Sequence, residues 1–121
     1  MLEEEIKMKV LDGAKMPQLT NGAYKLYSSS SGRVPSRSGA RIPAGFMMKI
    51  PKYYFGKIQS TRIKKLGGVV DSDYRGEICV LVYNDTDEDF VYEKGDEIGE
   101  MVICKISMPD IKEDIGNRVP L

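Results

Sequence analysis

Apolar residues in this chain occur in short runs that glycine, proline, asparagine and aspartate interrupt. Nowhere does an apolar stripe with the period of a helix persist over about a dozen positions. Turn residues recur about every eight to twelve positions, a spacing typical of a β sandwich or jelly roll and unlike that of βαβ units. The chain is therefore expected to be all-β. The predicted strands span residues 6–11, 23–28, 41–50, 53–59, 77–83, 90–93 and 97–106.

Length and composition predict one compact domain. A chain of 121 residues with 41% hydrophobic residues is long enough to fill a single core. From Met108 onward the sequence becomes charged and loses its apolar pattern. We therefore expect the domain to span residues 1–110, and residues 111–121 to form a C-terminal arm or a disordered tail.

One predicted strand is apolar on both faces. Residues 78–83 read Ile-Cys-Val-Leu-Val-Tyr, so successive side chains on either side of the sheet are apolar. In so small a chain, a strand that needs cover on both faces predicts the association of subunits.

Charge and residue usage exclude several classes of function. The 18 basic and 18 acidic residues cancel, which gives no overall electrostatic footprint for nucleic acid or an anionic membrane but leaves room for local patches. Histidine is absent, so Ser-His and Cys-His catalysis and histidine-ligated metal sites are excluded. Cys79 and Cys104 each sit in an apolar run, and we expect both to be reduced core residues rather than metal ligands. The start Met-Leu-Glu-Glu-Glu has no basic or apolar stretch and no run reaches membrane-spanning length, which predicts a cytoplasmic or nuclear protein.

Residues 68–77 read Gly-Val-Val-Asp-Ser-Asp-Tyr-Arg-Gly-Glu and carry most of the functional information. This stretch resembles the third signature of the dUTPase family, homotrimeric jelly-roll β-barrel enzymes that hydrolyse dUTP to dUMP and pyrophosphate. The resemblance implies that Asp71 activates the attacking water and that Tyr74 lies against the deoxyribose, with Gly68 in the same substrate site. It also implies a homotrimer with nucleotide pockets at the subunit interfaces.

The first and fourth signatures are similar but altered. Residues 22–28, Gly-Ala-Tyr-Lys-Leu-Tyr-Ser, are similar to the family's Ala-Gly-Tyr-Asp-Leu-Tyr-Ser, with Lys25 in place of the aspartate. Residues 95–101, Gly-Asp-Glu-Ile-Gly-Glu-Met, resemble Gly-Asp-Arg-Ile-Ala-Gln-Leu, with Glu100 where the family has glutamine.

The second and fifth signatures depart further. Residues 59–62, Gln-Ser-Thr-Arg, stand where the family has the phosphate-gripping Pro-Arg-Ser-Gly, and the segment leading to Gly68 is shortened. A fifth signature, the Gly-rich arm that closes over the nucleotide, has no counterpart in this sequence. Lys25, Ser60 and Arg62 are the candidates for a rebuilt phosphate site.

The altered first signature bears on the cofactor. The resemblance implies that Mg²⁺ is held on the triphosphate with help from the aspartate that Lys25 replaces. Lys25 changes that charge from minus one to plus one, and at an effective dielectric near 20 a unit charge at 4 Å is worth about 4 kcal/mol. We therefore predict weakened magnesium binding and no certain cofactor, with Mg²⁺ required only if the chain is active.

Two functions follow from these departures. The first is a dUTPase homologue with impaired or absent catalysis that binds dUTP or dUMP, or acts through a protein partner. The alternative is an active dUTP diphosphatase with a rearranged phosphate site.

Some of these residues also have purely structural explanations. Asp71 and Tyr74 are expected at a tight turn, where Asp caps backbone amides, so a fold-keeping role stays open for both. Arg62, Lys64 and Lys65 form a basic cluster that is more often a solvated face than a phosphate cradle.

Three other patterns are decoys. Residues 71–76 match only half of a calcium-binding loop, because Val82 stands where the bidentate carboxylate belongs. Residues 35–39, Pro-Ser-Arg-Ser-Gly, resemble the second signature but come too early, which predicts a basic surface turn. The alternating acids Asp85, Asp87 and Asp89 are expected to be solvated in a turn.

Overall fold

The computed structural model of the chain describes residues 5–65 and 68–114, and within these ranges all regular structure is β. The strands are β1 (Lys7–Val10), β2 (Gln18–Thr20), β3 (Ala23–Tyr27), β4 (Gly32–Val34), β5 (Ser38–Pro43), β6 (Phe46–Lys49), β7 (Tyr54–Ser60), β8 (Lys64–Lys65), β9 (Val69–Val70), β10 (Cys79–Asn84), β11 (Phe90–Tyr92) and β12 (Glu97–Lys105). The all-β prediction is therefore confirmed. In the described part of the chain no helix is long and apolar enough to cross a membrane.

The strands pair in antiparallel sheets, and β12 is the centre of the largest one. That sheet has the order β2-β3-β12-β7-β9, so β12 pairs with β3 on one side and with β7 on the other. A second sheet has the order β5-β10-β8, and two strand pairs, β1-β6 and β4-β11, complete the fold. The candidate site residues lie on strands of the two larger sheets or in the loops that join those strands.

The core is filled by the inward positions of these strands. Phe46, Leu26 and Met101 are fully buried and belong to one continuous cluster that also takes in residues of β5, β7 and β10. Each such side chain stabilises the fold by about 1.5–3 kcal/mol relative to exposure. Cys79 and Cys104, expected in the core, are free thiols but only half-buried.

Strand β10 has one buried and one outward face. Val80 and Val82 point into the core with no exposed area, whereas Leu81 on the other face is 38% exposed. Cys79 and Tyr83 share that outward face and are half-buried. Because alternate residues of β10 are apolar on both sides of the sheet, one side of the strand packs in the core. The other side forms an apolar patch on the surface of the single chain.

The strand predicted over residues 41–50 is wrong as one element, because the chain bends between β5 and β6. Gly45 causes the break: its φ of 77° favours glycine, and an added Cβ would lie 2.5 Å from Cβ of Ala14. Its carbonyl accepts a hydrogen bond from the amide of Leu11 at 2.9 Å, which holds the bend against the end of β1. The four strands that were not predicted, β2, β4, β8 and β9, are only two or three residues long.

After β12 the described residues 106–114 carry no regular structure. The amide of Ile106 still donates to the carbonyl of Tyr53 at 2.7 Å, and beyond this bond Met108 and Ile111 are exposed. The domain limit near residue 110 stays a prediction, and most of the predicted C-terminal arm lies outside the described residues.

Candidate functional site

Asp71, Tyr74 and Gly68 line one cleft, which has a volume of about 450 Å³. Strand β9 and the turn after it form one wall, and the outward residues Cys79 and Leu81 of β10 form part of the other. The structure therefore brings together the residues of the third signature, at the edge of the apolar outward face of β10.

The turn after β9 is held by a backbone hydrogen bond and by the side chain of Arg75. The amide of Tyr74 donates to the carbonyl of Asp71 at 3.1 Å, and the Arg75 guanidinium donates to the carbonyls of Ser72 and Tyr74 at 2.6 and 3.0 Å. Among the described residues no hydrogen bond or ion pair reaches the Asp71 carboxylate, which is exposed. Asp71 therefore does not cap the turn with its side chain, and the residue lines the cleft.

The ring of Tyr74 is fixed at the mouth of this cleft. Its hydroxyl donates to the carbonyl of Glu77 at 3.1 Å, while 46% of the residue stays exposed. Gly76 makes room for the ring, since an added Cβ there would lie 2.5 Å from the Tyr74 hydroxyl oxygen. The signature glycine thus determines where the tyrosine ring can lie.

Gly68 has a structural reason to be glycine. The amide of Ile58 donates to its carbonyl at 2.6 Å, and an added Cβ would overlap the backbone carbonyl oxygen of Ile58. This close approach lets β9 pair with β7. A substrate contact is not needed to explain Gly68, and its predicted role in binding stays a prediction.

Ser60 and Arg62 lie at a different depression, of about 420 Å³, and do not line the Asp71 cleft. The Ser60 hydroxyl oxygen accepts hydrogen bonds from the amides of Arg62 and Ile63 at 3.2 and 3.1 Å. The guanidinium carbon of Arg62 lies 5.4 Å from the ring centre of Phe90, a cation–π contact. Both side chains therefore already have partners inside the chain.

Lys25 forms an ion pair with Glu97 across the β3-β12 ladder. Its Nζ lies 3.0 Å from Oε1 of Glu97, and the two side chains are 33% and 34% exposed. The hydrogen bond from Lys25, outweighing partial burial, lowers the pKa of the Glu97 carboxyl, and the same bond raises the pKa of Lys25. Lys25 lines neither the cleft nor the depression described above.

Glu97 is the residue that the sequence analysis missed. The signal was present, since Glu97 stands where the fourth signature has arginine. Its negative charge cancels that of Lys25, so the local change of two charge units predicted from Lys25 alone is wrong for the pair. Glu100 is engaged as well, because it accepts a hydrogen bond from the Gln59 amide nitrogen at 2.8 Å.

The residues at the first-signature position do not fit a magnesium ion. Mg²⁺ takes oxygen ligands, and β3 offers an ammonium group there, while the nearby Glu97 carboxylate accepts a hydrogen bond from it. Within residues 5–65 and 68–114 no group of three or more cysteine, aspartate or glutamate residues could hold a metal.

The decoy turn at residues 35–39 is a surface turn, as predicted. Arg37 has a φ of 58° and donates to the Asp87 carboxylate at 2.7 Å and to the carbonyl of Asp85 at 2.8 Å. Arg33 pairs with Asp89 at 2.8 Å. The acids of the β10-β11 turn are exposed, but two of them bind arginine side chains. The side chains of Lys64 and Lys65 lie outside the described part of the structure.

The fold is that of solved dUTPases. A structure of a mutant of the Staphylococcus bacteriophage 80alpha dUTPase with dUpNHpp aligns with a TM-score of 0.83 over 97% of this chain and 92% of that chain, at 20% identity. A mutant of the dUTPase from phage phi11 of S. aureus, whose structure is described as showing the coordination of a structural Mg(II) ion, aligns with a TM-score of 0.81 over 93% and 97% of the two chains, at 17% identity. The jelly-roll β barrel expected from the sequence is thereby confirmed.

The sequence comparisons give the family. The dUTPase family model matches residues 17–118, so the chain belongs to the dUTPase family. The deoxyuridine 5'-triphosphate nucleotidohydrolase of Kluyveromyces lactis is 30% identical over 103 residues, which cover 77% of this chain and 70% of that protein. The protein of the same name from Paramecium bursaria Chlorella virus 1 is 45% identical over 49 residues, 40% of this chain. That match spans about a third of the viral relative, 35% of its length.

Proposed function

We propose that this chain forms a homotrimer that binds a deoxyuridine nucleotide, dUTP or dUMP, in the Asp71–Tyr74 cleft and hydrolyses it slowly or not at all. The observation that carries the proposal is the Lys25–Glu97 ion pair. Because of it, the first-signature position offers neither an oxygen ligand for a metal nor an unpaired ammonium group for phosphate.

The cleft supports nucleotide binding. Its volume of about 450 Å³ lies within the usual range of about 300–1,000 Å³ for small-molecule sites. Tyr74 presents a fixed ring for a sugar, and Asp71 presents an exposed carboxylate beside it. Within this proposal, Asp71 activates the water and Tyr74 contacts the deoxyribose.

Slow hydrolysis is supported by the two cations that the sequence predicted at the phosphates, because both are engaged within the chain. Phosphoryl transfer requires positioned cations around the triphosphate and a water aligned with a base. Arg62 stacks on Phe90 and Lys25 is held by Glu97, so both cations would have to give up an internal contact first. Loss of a positioned acid or base typically costs about 10²- to 10⁴-fold in rate.

The outward face of β10 supports the homotrimer. Leu81 and Cys79 are apolar, incompletely buried and part of the cleft wall, so a neighbouring subunit on this face would also complete the pocket. We expect light scattering after size exclusion to give three times the chain mass, and Leu81→Glu to reduce it by placing a charge in the interface. A monomeric wild-type protein would contradict this part of the proposal.

An active dUTP diphosphatase is the second candidate. It is favoured by Asp71, a residue of the cleft whose exposed carboxylate has no internal partner among the described residues, and by Glu97, which cancels the charge that would repel a metal–nucleotide complex. Pyrophosphate release from dUTP with magnesium separates the two functions. Release above background that Asp71→Asn abolishes would overturn slow hydrolysis, whereas no release together with binding of dUpNHpp supports it.

Action through a protein partner is the third candidate, inside the same fold. It is favoured by a solved structure of the phage 80alpha dUTPase whose description states that phage dUTPases control the transfer of virulence genes. Binding without turnover is what such a role would use. If dUpNHpp at millimolar concentration leaves the melting temperature unchanged both with and without Mg²⁺, nucleotide binding fails and the partner role is preferred.

A further inference from the structure

Two signature charges are reversed in this chain, and they belong to residues that touch. The first signature has aspartate where this chain has Lys25, and the fourth has arginine where this chain has Glu97. The two residues are 72 positions apart in sequence, yet their charged atoms lie 3.0 Å apart. Either reversal alone would place like charges together, whereas both together give an attractive pair.

The pair lies where it can hold two strands in register. Lys25 is on β3, Glu97 begins β12, and the ladder between them contains an irregularity between Glu97 and Gly99. About two-thirds of each side chain is shielded from water, so the contact is less screened than the other ion pairs of the described residues, which are more exposed. An ion pair at such an irregularity fixes where the ladder resumes.

The same pair also reaches the turn after β7. The amide of Thr61 donates to the carbonyl of Ile98 at 3.3 Å, next to Glu97. The Thr61 side chain lies near the Glu97 carboxylate and contributes to the lowered pKa of that group, after the larger effect of the hydrogen bond from Lys25. The Lys25–Glu97 pair therefore lies beside the turn that carries Ser60 and Arg62, and the bond from Thr61 to Ile98 ties that turn to the residue after Glu97.

We infer that Lys25 and Glu97 act as one ion pair, in which β3 carries the positive charge and β12 the negative one, the reverse of the two signatures. The pair positions the turn at residues 60–63. Lys25 is then a positioning residue rather than a phosphate contact. The exchange leaves the summed charge of the two positions at zero while moving the carboxylate from β3 to β12. The inference rests on the family signatures and the contact itself, and it holds whether or not the cleft binds a nucleotide.

A charge-reversal cycle on the full chain without nucleotide tests this. Lys25→Asp faces Glu97 with a like charge, Glu97→Arg faces Lys25 with one, and the double variant restores an attractive pair. We expect each single variant to lower the melting temperature by about 2–6 °C, and the double variant to lose less than either single one. A double variant that loses as much as the sum of both single losses would overturn the inference.

Positioning of the turn has its own readout. Hydrogen exchange at the Thr61 amide, which is bonded to Ile98, should be faster than in the wild type in Lys25→Asp and in Glu97→Arg. In the double variant, and in Lys25→Arg, which keeps the positive charge, the exchange rate should be close to that of the wild type. The matched control is Arg33→Glu, which places a like charge against the more exposed Asp89 and should leave exchange at Thr61 unchanged. If exchange at Thr61 stays at the wild-type rate in both single variants, the pair does not position the turn.

Discussion

The turn after β9 and the Lys25–Glu97 contact show opposite ways in which a family site changes. The turn keeps the residues of the family signature, is held by a backbone bond and by the Arg75 side chain, and leaves the Asp71 carboxylate without an internal partner in the described part of the chain. At Lys25 and Glu97 the residues differ from those of the family signatures, and the two side chains form an ion pair with each other. The turn that keeps the family signature therefore has a carboxylate available for a ligand. The two positions that depart from the signatures have side chains that are already bonded within the fold.

The largest expected effect comes from Gly68, on the side of the turn. Gly68→Ala forces a Cβ onto the carbonyl of Ile58, which is backbone and cannot rotate away. We expect a loss of about 2–4 kcal/mol in the free energy of unfolding, measured by urea denaturation. The control is Gly22→Ala, where the added Cβ meets open space and only the φ of 84° is unfavourable, at a cost of about 1 kcal/mol. Equal losses for the two variants would show that the close approach to Ile58 does not constrain Gly68.

The next effect separates ligand binding from stability in the same turn. Gly76→Ala displaces the Tyr74 ring, since the new Cβ would lie 2.5 Å from its hydroxyl oxygen. Because one hydrogen bond holds the half-exposed ring, the new Cβ can push it out of place, and we expect a stability loss of only about 1 kcal/mol but a loss of affinity for dUpNHpp of about tenfold, measured by calorimetry. Tyr74→Phe, which keeps the ring and loses only the bond to Glu77, should bind more tightly than Gly76→Ala. If Gly76→Ala bound dUpNHpp more tightly than Tyr74→Phe, the position of the Tyr74 ring would not matter for binding, and the sugar would not lie against it.

The third effect is the pH dependence of the Lys25–Glu97 pair. The folded state lowers the pKa of Glu97 below its usual 4.5, so the stabilisation is present above pH 4.5 and is lost as pH falls through the folded value. The pKa of Lys25 is raised above its usual 10.5. At alkaline pH the stabilisation from the ion pair is therefore complete below pH 10.5 and is lost as the pH rises through the folded pKa of Lys25.

Melting curves of wild type and Glu97→Gln test this. Between pH 6 and 9 we expect the wild type to melt about 1–4 °C higher, and the difference to shrink below about pH 4.5. A difference that stays constant from neutral to acidic pH would mean that the charge of Glu97 plays no part.

The smallest effect comes from the decoy turn. Arg37→Ala removes the contact to Asp87, whose side chain is 88% exposed. Ion pairs of this kind contribute about 0–1 kcal/mol, so the melting temperature should move by at most a few degrees, and nucleotide affinity should not change. A change in affinity for dUpNHpp would connect residues 35–39 to the binding site and contradict their assignment as a surface turn.

The sequence predicted the fold class and most strands, because alternation and turn residues act locally. It did not predict the break at Gly45, since that depends on the approach of Ala14, which is distant in sequence. It also did not predict β8 and β9, whose two residues each carry too little pattern. The length of these strands depends on their partners β10 and β7 rather than on their own residues.

The candidate site divides in the same way. The third signature identified Asp71 and Tyr74 as neighbours because they lie in one local turn. The meaning of Lys25 depended on Glu97, 72 residues later, and an argument from the charge of one residue gave a change of charge that the pair as a whole does not have. Ser60 and Arg62 were expected at phosphate, but the Ser60 hydroxyl accepts a local bond from the Ile63 amide, and the Arg62 guanidinium contacts the Phe90 ring, which only the folded chain brings near.

A crystal structure of the full chain with dUpNHpp and Mg²⁺ tests the central claim most directly. The account predicts a trimer with the base and sugar beside Tyr74, the Lys25 ammonium still bonded to Glu97, and no metal at Lys25. Lys25 turned away from Glu97 onto the phosphates, or an Mg²⁺ ion held at this position, would contradict it.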